Sequence, residues 1–570
     1  MKNNIYWYKS LAKTRNRWRS GSCLMLMLVL LLACSEVPRT TAERIPAQDV
    51  QATVTIDMAM KFQTINGFGT SERVFDDPHV FNNFNSSTGR AATVMTTAQQ
   101  DAVFDLLYKD LNLTHVRPVT EGNVERQNDN SDPEITDLSK FDFSWKGNDA
   151  HVEYVKKAMA RGMTTFFLSP LRRESWMGAT TVNEVAEYVE WAMAIVRRWR
   201  QLGVELPYYS PANEPGLSNI NPMSGEFIRD VIKRMGPKLQ AEGFATKFLI
   251  PDDVTPADAL LRCNVILSDP EARRYVGALG VHLYGDLGAL ASLRSVSESY
   301  GIPLWMTEYS RRALGGNGFT WAALMHDLIS RYNVSAVYYM WGYFGVWTGG
   351  GDYLVGLSHN GSGQYTGAQP DKEFYTMGQY SRYVLPGMQR VQAQSTDQDV
   401  KTTAYTSGNK LVIVAVNNTL NDKTVRFMLN NAGNLQTVNP IRTSETENWA
   451  QLPPLEISGS AFIATLPKSS VTTFVTATTS SPPPPVNTSP TISSVSIVKK
   501  LLIVIGENFD ADAALLLNDK PVANTKDETS PSTTIRSKKG AKKIAVGDTV
   551  RLQVQNSNGA VSNQFLFTRP

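Results

Sequence analysis

Two short strings each set a glutamate at the end of an apolar, β-rich run: Pro211-Ala212-Asn213-Glu214-Pro215 and Trp305-Met306-Thr307-Glu308-Tyr309. Two carboxyl groups facing each other across a cleft suit cleavage of a glycosidic bond. One is protonated and donates to the leaving oxygen, the other is ionised and attacks the anomeric carbon, and a separation of about 5 Å selects retention of configuration. Glu214 is read as the acid/base and Glu308 as the nucleophile. Asn213, directly before Glu214, offers an amide for the hydroxyl next to the anomeric carbon. Tyr284 is placed to hydrogen-bond the nucleophile, and Arg117 to hold it ionised by its positive charge. Trp341 offers a flat face for a sugar ring, Trp176 a second wall, and His282 a further substrate contact. Lone glutamates mostly solvate surfaces and lone tryptophans mostly pack cores, so it is the joint placement that singles out the pair. Glu121 and Glu174 read as loop or substrate-rim residues.

The elements that must position these groups alternate eight times. Strand-like runs at 62–69, 113–120, 164–170, 208–213, 246–251, 278–284, 303–309 and 336–341 are separated by helical patterns such as 99–111, 150–161, 182–202, 225–242, 287–300 and 319–332, with a last one at 371–384. That predicts an α/β fold, a (β/α)8 TIM barrel, whose chemistry sits at the C-terminal ends of the strands. An open doubly wound sheet is the alternative, but the first strand is followed by no Gly-rich phosphate fingerprint. Gly349-Gly350-Gly351-Asp352 lacks the Lys-Ser/Thr of a phosphate cradle and reads as a flexible loop after strand eight. Beyond Pro386, short alternating strands (402–405, 411–417, 424–429, 461–466, 471–476) predict a side antiparallel β-sandwich, with 53–58 as the candidate for a further strand. Ser480-Ser481-Pro482-Pro483-Pro484-Pro485 is a stiff spacer. The remainder carries period-two segments at 494–498, 501–505, 514–517, 549–554 and 564–568, which predict a small C-terminal immunoglobulin-like β-sandwich. Its Gly506-x-Asn508-Phe509 and Val554-x-Asn556-x-x-Gly559-x-x-Ser562-Asn563 resemble the IPT/TIG fold, which implies a spacer, sugar-contacting or passive packing role.

A chain of 570 residues with a formal charge of +3 has apolar sequence for a large core and no long charged block after its first 20 residues, so no nucleic acid partner is expected. The basic start (Lys2, Lys9, Lys13, Arg15, Arg17, Arg19) and the apolar run 24–32 read as a secretory signal too short to span a bilayer. The run ends Leu31-Leu32-Ala33-Cys34, which resembles the lipobox of bacterial lipoproteins and implies acylation of Cys34. An exported protein tethered at the bacterial envelope by lipid alone, at the outer membrane in a Gram-negative host, or else secreted, is expected. Cys23 leaves with the signal, Cys34 is acylated and Cys263 remains as a lone thiol; scattered histidines and no Cys-His cluster argue against a metal site. The expected division is a lipoprotein signal peptide (1–33), a tether (34–50), the barrel with an N-terminal strand joining the side domain (51–385), the side sandwich (386–478), a Pro-rich linker (479–490) and the terminal module (491–570).

Gln63-Thr64-Ile65-Asn66-Gly67-Phe68-Gly69, Ala212-Asn213-Glu214-Pro215, Val281-His282-Leu283-Tyr284-Gly285 and Trp305-Met306-Thr307-Glu308, in that order, resemble glycoside hydrolase family 30. The likeness extends to Leu466-Pro467-Lys468-Ser469-Ser470-Val471-Thr472-Thr473-Phe474 and spans 51–478. It implies a barrel fused to a side β-domain, retaining chemistry, and no metal or cofactor; a polysaccharide substrate and a monomeric state are expected beside it. Leu283-Tyr284-Gly285 and Tyr380-Ser381-Arg382-Tyr383-Val384-Leu385-Pro386-Gly387 resemble the bacterial xylanase branch. Glucuronoxylan-specific members carry an arginine pair after strand eight, where this chain reads Gly342-Tyr343-Phe344-Gly345-Val346-Trp347. Aromatics supply no bidentate clamp for a uronate, so dependence on glucuronic acid is not expected. Arg172, Arg173, Arg311 and Arg312 are the loop arginines available as substitutes, and Tyr343, Phe344 and Trp347 are expected to stack on neutral sugars. β-1,4-Xylan ranks first, with β-1,6-glucan, β-1,6-galactan and glucosylceramide as alternatives. A non-catalytic surface polysaccharide-binding protein is the reading from another class.

Overall fold

The computed structural model describes residues 49–72, 95–120, 122–144, 148–177, 182–217, 222–309, 316–345, 352–360, 364–476, 490–510, 512–526, 532–556 and 560–570. The leader with Cys34, the spacer 480–485, Glu121, Arg311, Arg312, Trp347 and Gly349 to Gly351 lie outside them. Among the described residues no helix is long and apolar enough to cross a membrane.

Eight parallel strands close a barrel: Gly67–Glu72, His115–Thr120, Thr165–Pro170, Tyr208–Tyr209, Lys247–Asp253, Val276–His282, Leu304–Glu308 and Ala336–Met340, the last pairing back onto the first through Gly67 and Ala336. Strand side chains alternate between the two faces. On strand two, His115 therefore points to the barrel axis, edge-on to Trp305 and Tyr338, and two residues on Arg117 points the same way. Phe167, Leu249, Ala278, Trp305, Ala336 and Tyr338 fill the interior as a plug, with Tyr208 packed against it. Ser169, His282 and Thr307 follow Phe167, Gly280 and Trp305 at that two-residue step and form the polar layer above. The outer faces pack on helices such as Asn148–Met159, Val182–Gln201, Gly225–Ala241 and Gly318–Tyr332.

The side domain is a ten-stranded sheet in which Ala52–Thr64 lies antiparallel to Gln389–Ser395 and parallel to Lys423–Asn430. Its strand Lys410–Asn417 is buried on both sides. Leu411, Ile413 and Ala415 enter the side-domain core, while Val412, Val414 and Val416 enter the core of the barrel. A strand with two apolar partners reads as a continuous apolar run rather than an alternating one. The terminal module consists of two four-stranded sheets, 491–498 with 501–507, 534–537 and 525–526, and 520–522 with 514–517, 549–555 and 565–568, around Leu502, Val504, Leu515 and Leu552.

Several expected elements are redrawn. The run 62–69 is split, because Thr64 ends the side-domain strand and Gly67 begins the barrel. The helix at 99–111 is an α-helix Thr97–Phe104 continued by π-helical turns Asp105–Asp110. A helix Pro256–Ser268, capped by the Thr255 side chain with Pro256 at its start, was not expected. Beyond strand eight, Tyr343–Gly345, Val355–His359 and Tyr365–Pro370 form a three-stranded sheet where a loop was expected. Cys263 is fully buried.

Phe427 is fully buried between the rings of Phe462 and Phe474, at 4.8 and 5.1 Å between centroids. Phe427→Ala is predicted to lower unfolding free energy in urea by about 3–5 kcal/mol; a loss below about 1 kcal/mol would show that the side domain does not unfold with the rest.

Candidate active site

Glu214 follows the very short fourth strand and Glu308 ends the seventh; both are buried, at 8% and 7% exposure. A carboxylate oxygen of each and a ring nitrogen of His282 lie within 4.8 Å of one another. The sequence placement of the pair is thus matched by proximity in space.

The surroundings of the two carboxylates differ. Glu308 accepts a hydrogen bond from Tyr284 Oη at 2.8 Å and one from Arg117 Nη1 at 2.8 Å. Glu214 faces His282 Nδ1 at 3.1 Å and has Asn213 Nδ2 at 3.5 Å. Asn213 in turn accepts from Arg117 Nη2. Tyr284 and Arg117 therefore hold the nucleophile candidate as expected from sequence, and Asn213 lies beside Glu214.

One residue essential to this frame had no sequence expectation. Asp252 is fully buried at the end of strand five and accepts from Arg117 Nε (3.1 Å) and Nη2 (2.9 Å) and from Ser169 Oγ (2.8 Å), with His282 Nε2 at 3.2 Å. Its backbone carbonyl accepts from the Glu214 N–H at 2.9 Å. Asp252 has φ +60°, and the strand register shifts between Pro251 and Asp253. This left-handed residue turns inward a side chain that strict alternation would send outward. Glu214 is itself left-handed, at φ +49°.

Burial alone would raise the Asp252 carboxyl, but the charges of Arg117 and His282 hold it well below the ordinary carboxylate range. Burial likewise works against a charged His282, yet the charges of Glu308 and Asp252 and the hydrogen bonds from Asp252 and Glu214 lift it to about 10. Glu214 is pushed up by burial and pulled further down by His282 and Arg117, ending below its usual value. Burial and the neighbouring Glu308 charge push the Tyr284 phenol up, so that it donates rather than ionises. A cation shared by this cluster would have to sit beside the Arg117 guanidinium.

Other candidates are placed differently. His282, expected as a substrate contact, has no exposed surface. Arg117 is 2% exposed and acts from below the carboxylates. Trp341 is half-buried, edge-on to Phe344 at 4.7 Å. Trp176 donates its indole N–H to the Glu125 carbonyl at 2.7 Å and packs on the core. Glu174 is no rim residue: buried, it accepts the N–H groups of Asn123, Val124 and Glu125 and the Trp191 indole N–H, and so braces a loop. Tyr343, expected to stack on sugar, is buried with its ring stacked on Tyr154 at 6.4 Å. Arg173 lies over the Phe227 ring and Arg172 is exposed.

A raised His282 adds stability that is fully present below its unfolded value of 6.5 and lost as pH rises through about 10. The urea midpoint is predicted to fall between pH 6.5 and 10, and His282→Gln to flatten that fall. Equal falls in wild type and variant would contradict the charge assigned to His282.

No profile of a known protein family matches the chain. It is 26% identical over 302 residues to a glucuronoxylanase, XynC, of Bacillus subtilis, covering 51% of this chain and 66% of that protein. It is 26% identical over 249 residues to the lysosomal acid glucosylceramidase of Mus musculus, covering 39% and 47%. The chain thus spans less than two thirds of the length of these curated relatives. Among solved structures, the family 30 subfamily 8 xylanase Xyn30A of Clostridium acetobutylicum superposes with a TM-score of 0.58 at 25% identity, covering 75% of this chain and all of that one. The chain is thus similar, in sequence to a glucuronoxylanase and in fold and sequence to a family 30 xylanase, over its barrel and side domain.

Proposed function

We propose that the protein hydrolyses a β-linked polysaccharide with retention of configuration, Glu308 attacking the anomeric carbon and Glu214 acting as acid and then base. The observation that carries this reading is the pair of carboxylates less than 5 Å apart with opposite surroundings. Such a separation leaves no room for a water between carboxylate and sugar, as inversion would require, and suits direct attack. Glu308 is held by a guanidinium and a phenol, both donors to it; Glu214 is held by an imidazole, which can exchange a proton with it. In the first step the Glu308 oxygen bonds to C1 while the glycosidic C–O bond breaks and the leaving oxygen takes a proton from Glu214. In the second, water attacks C1 as Glu214 takes its proton, and Glu308 leaves. Retention of both carboxylates and of their hydrogen bonds speaks against a purely binding protein.

For the substrate, β-1,4-xylan is proposed, without dependence on glucuronate. The named relatives include a glucuronoxylanase and structurally similar xylanases. Immediately after strand eight, Tyr343 is packed inside and Gly342 and Gly345 flank the Tyr343-Phe344 pair, so no cation in this described stretch faces a uronate. The similarity to a glucosylceramidase keeps a glucoside of lipid as the second reading.

Glu308→Ala and Glu214→Ala are each predicted to reduce turnover by several orders of magnitude without unfolding the protein, and azide to rescue Glu308→Ala with formation of the α-glycosyl azide. Near-normal activity of either variant, or a β-azide, would overturn the roles. Product analysis on glucuronoxylan and arabinoxylan beside β-1,6-glucan and β-1,6-galactan is expected to give oligosaccharides from both xylans; silence on both would move the substrate to another linkage.

A further inference from the structure

The fully buried imidazole of His282 lies between two carboxylates, with Nδ1 3.1 Å from Glu214 Oε1 and Nε2 3.2 Å from Asp252 Oδ1. A neutral imidazole has one N–H and one lone pair, so it can donate to only one of two ionised carboxylates and would present a lone pair to the other. Three proton placements would satisfy all three groups, but the one with a neutral Asp252 forfeits the ion pair of that carboxylate with Arg117, which leaves two. Either both ring nitrogens are protonated and both carboxylates ionised, or Nε2–H donates to Asp252 while a neutral Glu214 carboxyl donates to Nδ1. The two states contain the same number of protons and differ only in the position of one along the Glu214–His282 hydrogen bond.

We propose that His282, oriented by Asp252, is the store for the proton that Glu214 delivers to the leaving group. This rests on the glycosidase reading above and adds a residue acting through Glu214 rather than on substrate. In the free site the proton rests on His282 Nδ1, and the Glu214 carboxyl is ionised. When a sugar covers the site and excludes water, the charged form of Glu214 is disfavoured, the proton moves from Nδ1 to the carboxyl, and His282 becomes a neutral imidazole that still donates from Nε2 to Asp252. Rotation about the terminal torsion of a glutamate is broad, which lets the carboxyl turn the proton toward the cleft. The leaving oxygen then takes it as its bond to C1 breaks and Glu308 bonds to C1. When water replaces Glu308, its proton passes to Glu214 and back to Nδ1, so the cycle closes with no net change in protons on the protein.

The groups facing His282 support the resting state. Glu214, Asp252 and, at 3.9 Å from Nδ1, Glu308 are anionic neighbours; Arg117 is the opposing cation, shared with Asp252 and Glu308; Tyr284 lies edge-on at 5.9 Å between ring centroids. Against the effect of burial, the three carboxylates lift the imidazole to about 10, while His282 and Arg117 draw Glu214 below its ordinary value, which leaves the acid without a proton of its own unless His282 supplies one.

The test separates the proton store from mere scaffolding by the demand of the leaving group. In His282→Gln, kcat/KM on xylohexaose, whose leaving alcohol needs protonation, is expected to fall about 10²-fold or more; on 2,4-dinitrophenyl β-xylobioside, whose phenolate leaves unaided, the fall is expected to stay within about tenfold. Equal losses on both substrates would overturn the proposal. A substrate-free measurement stands beside it. In ¹⁵N-histidine-labelled wild type at pH 8, the resonances that vanish in His282→Gln are expected to show both ring nitrogens protonated, and Asp252→Asn to convert them to a neutral imidazole. A neutral His282 in the wild type would overturn the proposal. If the wild type cleaves neither xyloside, the xylan reading fails, and the labelled spectra still decide the protonation of His282.

Discussion

The buried carboxylate of Asp252 is the charge on which the arrangement of the site depends. Arg117, at 2% exposure, would be prohibitively costly to bury unpaired, and Asp252 takes two of its N–H groups while Glu308, Asn213 and Ser71 take the other three. The same carboxylate fixes the far nitrogen of His282, and its own backbone carbonyl holds the N–H of Glu214. Both halves of the proposed catalytic pair are thereby tied to one residue: Glu308 through Arg117, Glu214 through His282 and the main chain. Removing that charge would leave two cations facing the same pocket with two solvent-edge carboxylates as their remaining partners.

The barrel supplies the rigidity this network needs. The plug formed by Phe167, Trp305, Tyr338 and their neighbours lies beneath the polar layer, and the Arg117 guanidinium sits 5.7 Å from the Phe167 ring. Water is therefore excluded from below, which strengthens each ion pair above it. Gly280 belongs to the same constraint: a Cβ there would come within 2.3 Å of Leu249 Cδ2, so strands five and six approach as closely as the site requires only with glycine in that place.

Much of this frame was legible in the sequence because it obeys a period. Eight strand-helix alternations announce the barrel, and period-two counting from Phe167, Trp305 and His115 sends Ser169, Thr307 and Arg117 inward. The two glutamates were legible because strand ends carry the chemistry in this architecture. Asp252 was not, since alternation along 247–253 assigns it to the outer face and only its left-handed backbone reverses that. His282 was visible as a residue near the site but not in its role, because adjacency to substrate and burial between carboxylates give the same spacing along a strand. Tyr343 was misjudged, and of the two readings of Glu174, loop or rim, only the loop holds, for a related reason. An aromatic or an acid just after a barrel strand reads as rim, whereas Tyr343 enters a short sheet stacked on Tyr154 and Glu174 caps the N–H groups of a neighbouring loop. Composition alone does not reveal such tertiary partners.

The central claim is that Glu308 forms a bond to the sugar in the course of turnover. Incubation with 2,4-dinitrophenyl 2-deoxy-2-fluoro-β-xylobioside, followed by proteolysis and mass spectrometry, tests it directly, because the fluorine slows both steps while the good leaving group restores the first, so that the glycosyl-enzyme accumulates. The account predicts one fluoroxylobiosyl group per chain, on the peptide bearing Glu308 and on that carboxylate. A label on Glu214 or elsewhere, or release of dinitrophenolate on natural-sugar analogues with no covalent adduct ever formed, would contradict it.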